Sequence, residues 1–362
     1  MKRTILYVVL AFIVAPIFVS CYQSHKKKLD LAYALVESRP DSALALMKHI
    51  DQEGLSKEEM AKYALTYYIA QDKSGLDLDN DSLIRIAYDW YEGHQEDSLY
   101  VLCLNYMGKF YLLVDSMEQA KSCLEKAYFI SDSLHKMNVK RLVLDKLIEV
   151  EEQLEPYKAL RYAKDMLKMY DSMANVTIYN KVAARLRLGE NFFYVGSLQH
   201  ALEEERKAYR MAMKAGDSNL LSYVRQNLSS TFEEMGEKDS CLYYARLAYD
   251  LNAANRFSCL LTFASAYISV DSLNQAFSLL NQALPKTAED RYSVFYFQSQ
   301  AAMKAQDFKS AKSFSDSAYH YLEDMYRTAL QGKAAYYTSF RKRKVKELKR
   351  KVKQKCSSGY LV

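Results

Sequence analysis

Residues 189–208 read GENFFYVGSLQHALEEERKA, and the spacing of small, aromatic and alanine residues in them indicates the fold class. A small residue, Gly189, is followed three positions later by Phe192, and 12 and 19 positions later by Ala201 and Ala208. A Gly-Ser pair at 196–197 lies between Phe192 and Ala201, and such a pair is typical of a turn. Because residues three or four apart share one face of a helix, the spacing predicts a first and a second amphipathic helix joined by a tight turn.

The same template recurs between residues 100 and 325, in five good copies and one weaker copy. A small residue comes first, an aromatic residue lies three positions later, and mostly alanine or larger apolar residues lie at offsets of 12, 16 and 19. We expect these template residues to pack where helices approach closely. They include Gly108, Tyr111, Ala120, Ala127, Gly189, Ala201, Ala208, Ala248, Ala276, Ala283, Ala311 and Ala318.

This template resembles the tetratricopeptide repeat (TPR), a helix–turn–helix unit with small, aromatic and alanine positions at these offsets. The resemblance implies an all-α fold, a right-handed TPR-type helical solenoid of about seven to eight helix pairs. Equivalent positions are 39, 42, 40, 35 and 35 residues apart, whereas the standard period is 34. We therefore expect longer helices or loops between residues 127 and 222. Ser116 and Ser272, each with a glutamine three residues later, predict capping boxes at two second helices.

Upstream of the clear repeats, the sequence predicts degenerate helix pairs at 29–50 and 58–91. The segments DSALALM at 41–47 and DSLIRIA at 81–87 resemble the opening of a bacterial family of TPR-containing lipoproteins. Many larger members of that family continue into a transmembrane helix, a coiled coil and a cytoplasmic regulatory module. This sequence contains no such segment, and that departure from the family counts against a signalling role.

The N-terminus predicts export. Two basic residues at 2–3 precede an apolar run over 5–19, which has the length of a signal-peptide core and is shorter than the roughly 20 residues of a membrane span. The sequence FVSC at 18–21 then resembles a bacterial lipobox. This implies lipidation of Cys21 and a membrane-anchored lipoprotein that faces the periplasm. An uncleaved N-terminal anchor is the alternative.

Four parts follow along the sequence: a lipoprotein-type signal peptide at 1–20, degenerate helical repeats at 21–98, the TPR array at 99–328, and a basic C-terminal helix and tail at 329–362. Within the tail, Arg341–Lys355 holds ten Lys or Arg residues and one Glu. Such a segment is typical of contact with an anionic membrane surface or a partner, or of a solvated helical end.

The composition and motifs exclude several classes of function. Ten Gly and four Pro in 362 residues are too few for an all-β fold. The sequence contains no nucleotide-binding, zinc-protease or serine-hydrolase motif, and its six cysteines show no C-x-x-C spacing. His200 and Glu204, four residues apart, favour surface pairing over a metal site. Runs of glutamate at 151–152 and 203–205 predict solvated helix faces. We expect no catalysis, cofactor, metal or nucleic acid.

TPR solenoids bind extended peptides or helices on the face lined by their first helices. The sequence therefore favours a non-catalytic scaffold or adaptor that binds a protein or peptide partner at the bacterial cell envelope. The alternative is the periplasmic sensor portion of a TPR signalling protein without its transmembrane and cytoplasmic modules. The groove candidates, the residues expected to line this binding face, are Asn105, Lys109, Arg141, Glu190, Tyr194, Gln226, Ser230, Tyr296 and Gln300. For each of them, a solvated surface position without contact to a partner is the alternative.

Lipidation at Cys21 is testable by cell fractionation. Cys21→Ala should release the protein into the soluble periplasmic fraction, because the acyl chain supplies most of the membrane affinity. Cys356→Ala, a cysteine outside the lipobox, should leave the distribution unchanged. Retention of Cys21→Ala in the membrane fraction after a high-salt wash would contradict the lipoprotein interpretation.

Overall fold

The computed structural model describes residues 26–76, 82–94, 98–113, 116–134, 137–251 and 253–330. These residues form 16 α-helices and no β-strand, which confirms the predicted all-α class. No helix among them is both long enough and apolar enough to span a bilayer. Cys21, the signal segment and the basic stretch after residue 330 lie outside the described residues.

The helices follow one another with short connections. The first, α1, covers residues 26–35. The others are α2 (Pro40–Met47), α3 (Lys57–Lys73), α4 (Ser82–Tyr91), α5 (Ser98–Leu113), α6 (Met117–Ser133), α7 (Met137–Leu154), α8 (Pro156–Ser172), α9 (Ile178–Tyr194), α10 (Leu198–Ala215), α11 (Ser218–Glu234), α12 (Lys238–Asp250), α13 (Arg256–Ser269), α14 (Leu273–Asn281), α15 (Ala288–Lys304) and α16 (Phe308–Leu330).

The chain divides into two compact units, Met1–Val143 and Leu144–Val362, with the boundary inside α7. In unit 1 each helix from α2 to α5 packs against the next one, and in unit 2 the same holds for each helix from α8 to α15. This boundary differs from the predicted one at residues 98 and 99. The predicted boundary marks where degenerate repeats give way to regular ones, whereas the structural boundary marks the division between two compact units. The two boundaries describe different properties, so the predicted boundary stays a prediction.

One residue in the left-handed conformation makes the turn inside each of four helix pairs of unit 2. Gly196 and Gly236 have φ values of 76° and 77°, and Asp271 and Gln306 at the equivalent positions have 62° and 59°. The next backbone N–H donates to a carbonyl five residues earlier at 2.8 to 3.0 Å in all four turns. This Schellman-type bond satisfies an orphan carbonyl at the end of the first helix.

The predicted capping boxes at the second helices are wrong. Ser116 and Ser272 do precede α6 and α14, but neither side chain accepts a hydrogen bond from the helix. Their ψ values are 67° and 60°, whereas Ser56 and Thr287, which form complete capping boxes at first helices, have 165° and 167°. An N-cap side chain needs the extended backbone to reach the helix N–H groups, and the tight turn does not provide it.

Glycine at the first template position lets the two helices of a pair touch. A Cβ placed on Gly108 would lie 2.6 Å from Cγ of Leu124 in the facing helix α6. A Cβ on Gly189 would lie 3.1 Å from Cγ of Glu205 in α10. The contact therefore brings the template positions at offsets 0 and 16 together, as the repeat pattern implies.

Serine at the same template position adds a hydrogen bond to the close approach. The hydroxyl of Ser229 donates to the carbonyl of Cys241, and that of Ser299 to the carbonyl of Ala311, both at 3.0 Å. The alanines at template offsets 12 and 19 lie on the second helices and are buried. Ala283 is the exception: it lies just beyond the end of α14 and is half-buried. The buried alanines of the template are Ala120, Ala127, Ala201, Ala208, Ala248, Ala276, Ala311 and Ala318.

The uneven repeat spacing lies mainly in the second helices. Helices α6, α8 and α10 have 17, 17 and 18 residues, whereas α12 and α14 have 13 and 9. The longer repeat period between residues 127 and 222 therefore reflects additional helical turns in the second helices.

The Gly108 contact generates a stability prediction. Gly108→Ala should destabilise unit 1 by about 1–2 kcal/mol, because overpacking at a 2.6 Å approach to Leu124 falls in the upper part of the ~1–3 kcal/mol range and exceeds the ~1 kcal/mol gained in helix propensity. In a Leu124→Ala background, the same substitution should become stabilising. Gly54→Ala, where a Cβ meets nothing within 4 Å, is the matched control and should change stability by less than about 0.5 kcal/mol. Urea unfolding measures the free energy of unfolding of each variant. An unchanged free energy of unfolding for Gly108→Ala would refute the close contact with Leu124.

Candidate functional site

The first helices of unit 2 form a continuous surface. Helices α9, α11, α13 and α15 each contact the next one directly, while each second helix packs mainly on first helices. We use the name A face for the exposed side of α9, α11, α13 and α15. The exposed side of the second helices α8, α10 and α12 is named the B face.

The A face carries aromatic and polar side chains at helical spacing. On α11 a stripe at i, i+4 and i+7 consists of the exposed Tyr223, the half-buried Asn227 and the exposed Ser230. Tyr223 and Tyr194, which ends α9, are 48% and 60% exposed. Large exposed tyrosines beside hydrogen-bonding groups are typical of binding surfaces, because tyrosine offers both apolar area and a hydroxyl.

Side-chain hydrogen bonds join each first helix of unit 2 to the next. The bonds come from hydroxyl, amide and ammonium donors on one helix to acceptors on its neighbour, so they fix the relative position of successive repeats. They run from Asn191 to Glu152 at 3.0 Å, from Asn227 to Glu190 at 3.2 Å, from Ser258 to Gln226 at 2.6 Å, from Ser265 to Glu233 at 3.1 Å, and from Lys304 to the carbonyl of Ser269 at 3.1 Å.

Carboxylates outnumber cations at one end of the A face. Arg187 Nη1 lies 3.4 Å from Glu152 and 3.6 Å from Glu190, so two acids share one guanidinium. Burial raises the pKa of Glu152, Arg187 opposes this shift, and the charge of Glu190 adds to it. Partial desolvation of its hydroxyl and the same two carboxylates raise the pKa of Tyr194, and Arg187 opposes the shift. This end of the surface is therefore partly desolvated and carries negative charge.

The predicted solvated glutamate runs are wrong at three positions. Glu151 is fully buried and pairs with Lys158 at 3.1 Å. Glu204 is buried between Arg185 at 2.9 Å and Lys207 at 2.7 Å. These carboxylates lie between packed helices, where an ion pair compensates for lost hydration.

Glu205 is the most unusual buried carboxylate. It is 1% exposed, and its Oε1 accepts from the hydroxyl of Thr231 at 2.8 Å, while Oε2 has no partner within the described residues. Burial, opposed by the Thr231 hydrogen bond, raises the pKa of Glu205 to about 7. The space above Gly189 accommodates its side chain.

The groove candidates fall into two separate groups. In unit 2, Glu190, Tyr194, Tyr296 and Gln300 have exposed or half-buried side chains on first helices, and Ser230 is exposed. Gln226 instead is buried and accepts from Ser258, so it joins helices.

In unit 1, Asn105 is buried in α5 and Lys109 forms an ion pair with Asp72. Arg141, on α7, is half-buried. Tyr223, Asn227 and Arg187 complete the A face of unit 2 and are absent from the predicted set. Their template offsets of −6 and −2 could have identified them, because those positions share a helix face with the chosen ones.

The described residues offer binding groups and no reactive constellation on this surface. His49, His94, His200 and His320, the histidines that the structure describes, lie outside α9, α11, α13 and α15. No group of three or more potential metal ligands occurs in the described ranges. His200 bonds to Ser197 at 2.9 Å and stacks on Phe192 in place of the predicted pairing with Glu204.

Solved structures share this architecture. RapI in its apo form aligns with a TM-score of 0.64 at 14% identity, over 91% of this chain and 98% of RapI. A Rap protein complexed with Competence and Sporulation Factor gives 0.57 at 15%, over 92% and 99%. NprR in complex with its cognate peptide NprX gives 0.55 at 14%, over 90% and 99%. No family model and no curated protein matches the sequence. The chain thus has a TPR-like helical-repeat fold.

The buried Glu205 generates a pH prediction. Its pKa is higher in the folded state than the ordinary 4.5, so folding favours the protonated form. The contribution of Glu205 to the free energy of unfolding is most favourable below pH ~4.5 and is lost as pH rises through about 7. At pH 8 the buried carboxylate therefore lowers the free energy of unfolding by roughly 3 kcal/mol. Glu205→Gln should therefore stabilise the protein at pH 8 by up to that amount and by much less at pH 5. The exposed Glu234→Gln is the control. Equal stabilities of Glu205→Gln and wild type at both pH values would contradict the burial.

Proposed function

We propose that the chain is a non-catalytic TPR scaffold that binds a protein or peptide along the A face of unit 2. We further propose that acylated Cys21 holds it at the bacterial cell envelope, with the repeats facing the periplasm. The supporting observation for binding is the exposure of Tyr194 and Tyr223 beside polar side chains on adjoining first helices.

An extended peptide fits the chemistry of this surface. Its backbone needs donors and acceptors, and the A face offers an amide and a hydroxyl at Asn227 and Ser230 on α11 and a further amide at Gln300 on α15. The hydrogen bond from Asn227 to Glu190 holds one of these groups in place before binding, which reduces the entropy cost of association. Tyr194 and Tyr223 supply the aromatic contact area that anchors interfaces.

Two of the similar structures support a peptide ligand. The Rap structure contains Competence and Sporulation Factor, and the NprR structure contains its cognate peptide NprX. Both share the repeat fold over more than nine-tenths of their own length. We propose a ligand of the same general kind for this chain, bound by its own A-face residues.

Envelope anchoring is supported by the order of the N-terminal features. A basic start, an apolar run of 15 residues and the FVSC sequence at 18–21 occur in the order of a bacterial lipoprotein signal. An anchored scaffold would hold its partner close to the membrane, which raises the effective concentration of the partner there.

Site-specific photocrosslinking in cells tests the binding surface. A photoreactive phenylalanine analogue replaces Tyr223 or Tyr194 on the A face, or the exposed Tyr157 or Tyr243 on the B face as matched controls. The A-face positions should give protein or peptide adducts of discrete mass, and the B-face positions should not. Adding Tyr194→Ala to the probe at 223 should lower the adduct yield about fivefold or more, since tyrosine truncation at an interface often costs over ~1 kcal/mol.

Two results would overturn the proposal. The first is equal adduct formation from both faces, which would indicate nonspecific collisions. The second is full adduct yield at 223 after Tyr194→Ala, because the two tyrosines would then not contact one partner. Mass spectrometry of the adduct identifies the partner in the positive case.

A further inference from the structure

The B face of α8 and α10 carries a set of exposed cations. They are grouped on the outer side of two successive second helices, and all six are exposed. We name this set the basic patch. It consists of Arg161, Lys164 and Lys168 on α8 and Arg206, Arg210 and Lys214 on α10.

None of the six cations forms an ion pair with a described residue. This is unusual for these helices, because neighbouring lysines are paired: Lys158 contacts Glu151 at 3.1 Å, and Lys207 contacts Glu203 at 2.8 Å. The exposed Asp171 contacts Arg185 at 3.6 Å. Nearby carboxylates are thus engaged elsewhere, and the basic patch keeps its positive charge uncompensated.

The cations occupy equivalent positions in successive repeats. Lys164 and Arg206 both lie 17 residues after the first template position, and their side chains make the same contact. Lys164 Nζ is 5.2 Å from the ring centre of Phe192, and Arg206 Cζ is 5.9 Å from that of Phe232. The two phenylalanines are themselves equivalent, each in the following repeat.

Lys168 and Arg210 are equivalent in the same way, 21 residues after the first position, so the charges form repeated rows. Rows of exposed cations on successive second helices are suited to a broad array of negative charges. A single small anion would instead need charges that converge on one point.

Apolar side chains border the rows. Tyr157, in the first turn of α8, is 75% exposed, and Met213, near the end of α10, is 50% exposed. Cations combined with exposed aromatic and aliphatic groups are typical of protein surfaces that rest at a membrane interface. An acidic protein surface would match the same charges and apolar side chains, but the lipid anchor proposed at Cys21, on which this choice rests, would hold the chain beside a lipid surface.

We propose that the basic patch binds the anionic headgroups of a lipid membrane surface. Each cation near such a surface contributes about 1 kcal/mol, and the attraction weakens with salt. This contact is independent of the partner bound on the A face. It would orient unit 2 with its second helices toward the lipid and leave the first helices accessible.

Vesicle co-sedimentation tests the proposal with the full chain carrying Cys21→Ser, which cannot be acylated at that residue. The vesicles are phosphatidylcholine alone or phosphatidylcholine with phosphatidylglycerol. The patch variant combines Lys164→Gln, Lys168→Gln, Arg206→Gln and Arg210→Gln. The matched control removes four exposed cations elsewhere in unit 2, with Lys286→Gln, Lys309→Gln, Lys312→Gln and Arg327→Gln.

Both variants lose the same four charges and keep the same basic segment at 341–355, so only the position of the charges differs. The patch variant should bind anionic vesicles several hundred-fold more weakly at low salt, about fivefold for each of the four cations, and the control should bind within about twofold of the parent chain. Circular dichroism verifies that each variant keeps its helix content. High salt should abolish the difference between variants.

Three outcomes would overturn the proposal. Equal binding by the two variants would show that only total charge or the segment at 341–355 matters. Equal binding of the parent to neutral and anionic vesicles would exclude headgroup recognition. Tight binding to polyglutamate without binding to anionic vesicles would assign the basic patch to an acidic protein. The photocrosslinking result on the A face is unaffected by any of these outcomes.

Discussion

The close approach of the two helices in each pair is the constraint on which the rest of the structure depends. At Gly108 the facing Leu124 fills the space where a Cβ would be, and at Ser229 the hydroxyl bonds directly to the opposite backbone. Helices held this close need a short turn with one left-handed residue, which the chain supplies at Gly196 and its equivalents. The pair then behaves as one rigid unit, and stacking such units buries a continuous core.

The same constraint explains where the pattern departs from a simple apolar core. Glu205 occupies the position that Leu124 holds in its own repeat, and Gly189 leaves room for it. Thr231 from the next repeat donates one hydrogen bond, so the carboxyl is only partly satisfied. A group of this kind couples the stability of adjacent repeats to pH, because its protonation is linked to their packing.

Repetition also gives the two faces of unit 2 their different characters. Any residue at a fixed template offset recurs at the same place on each repeat, so side chains form rows along the stack. On the A face, hydrogen bonds such as Asn227 to Glu190 join these rows across first helices. On the B face, Lys164 and Arg206 repeat one contact and form part of the basic patch. A peptide and a lipid surface could therefore be bound at the same time without competing.

The sequence by itself determined the repeat fold and the turns, because helix formation and close packing depend on residues within about 20 positions of one another. The template placed Gly108, Ala201 and Ala276 at close helix contacts, and the Gly-Ser pair in the first stretch correctly indicated the turn at Gly196. Only the tertiary structure decided which polar residues are buried. Glu205 and Gln226 look like surface residues in the sequence, yet Thr231 and Ser258, 26 and 32 residues further on, cover and bond them. Burial and unpaired charge are properties of neighbours brought together by stacking, and the local pattern of one helix does not contain them.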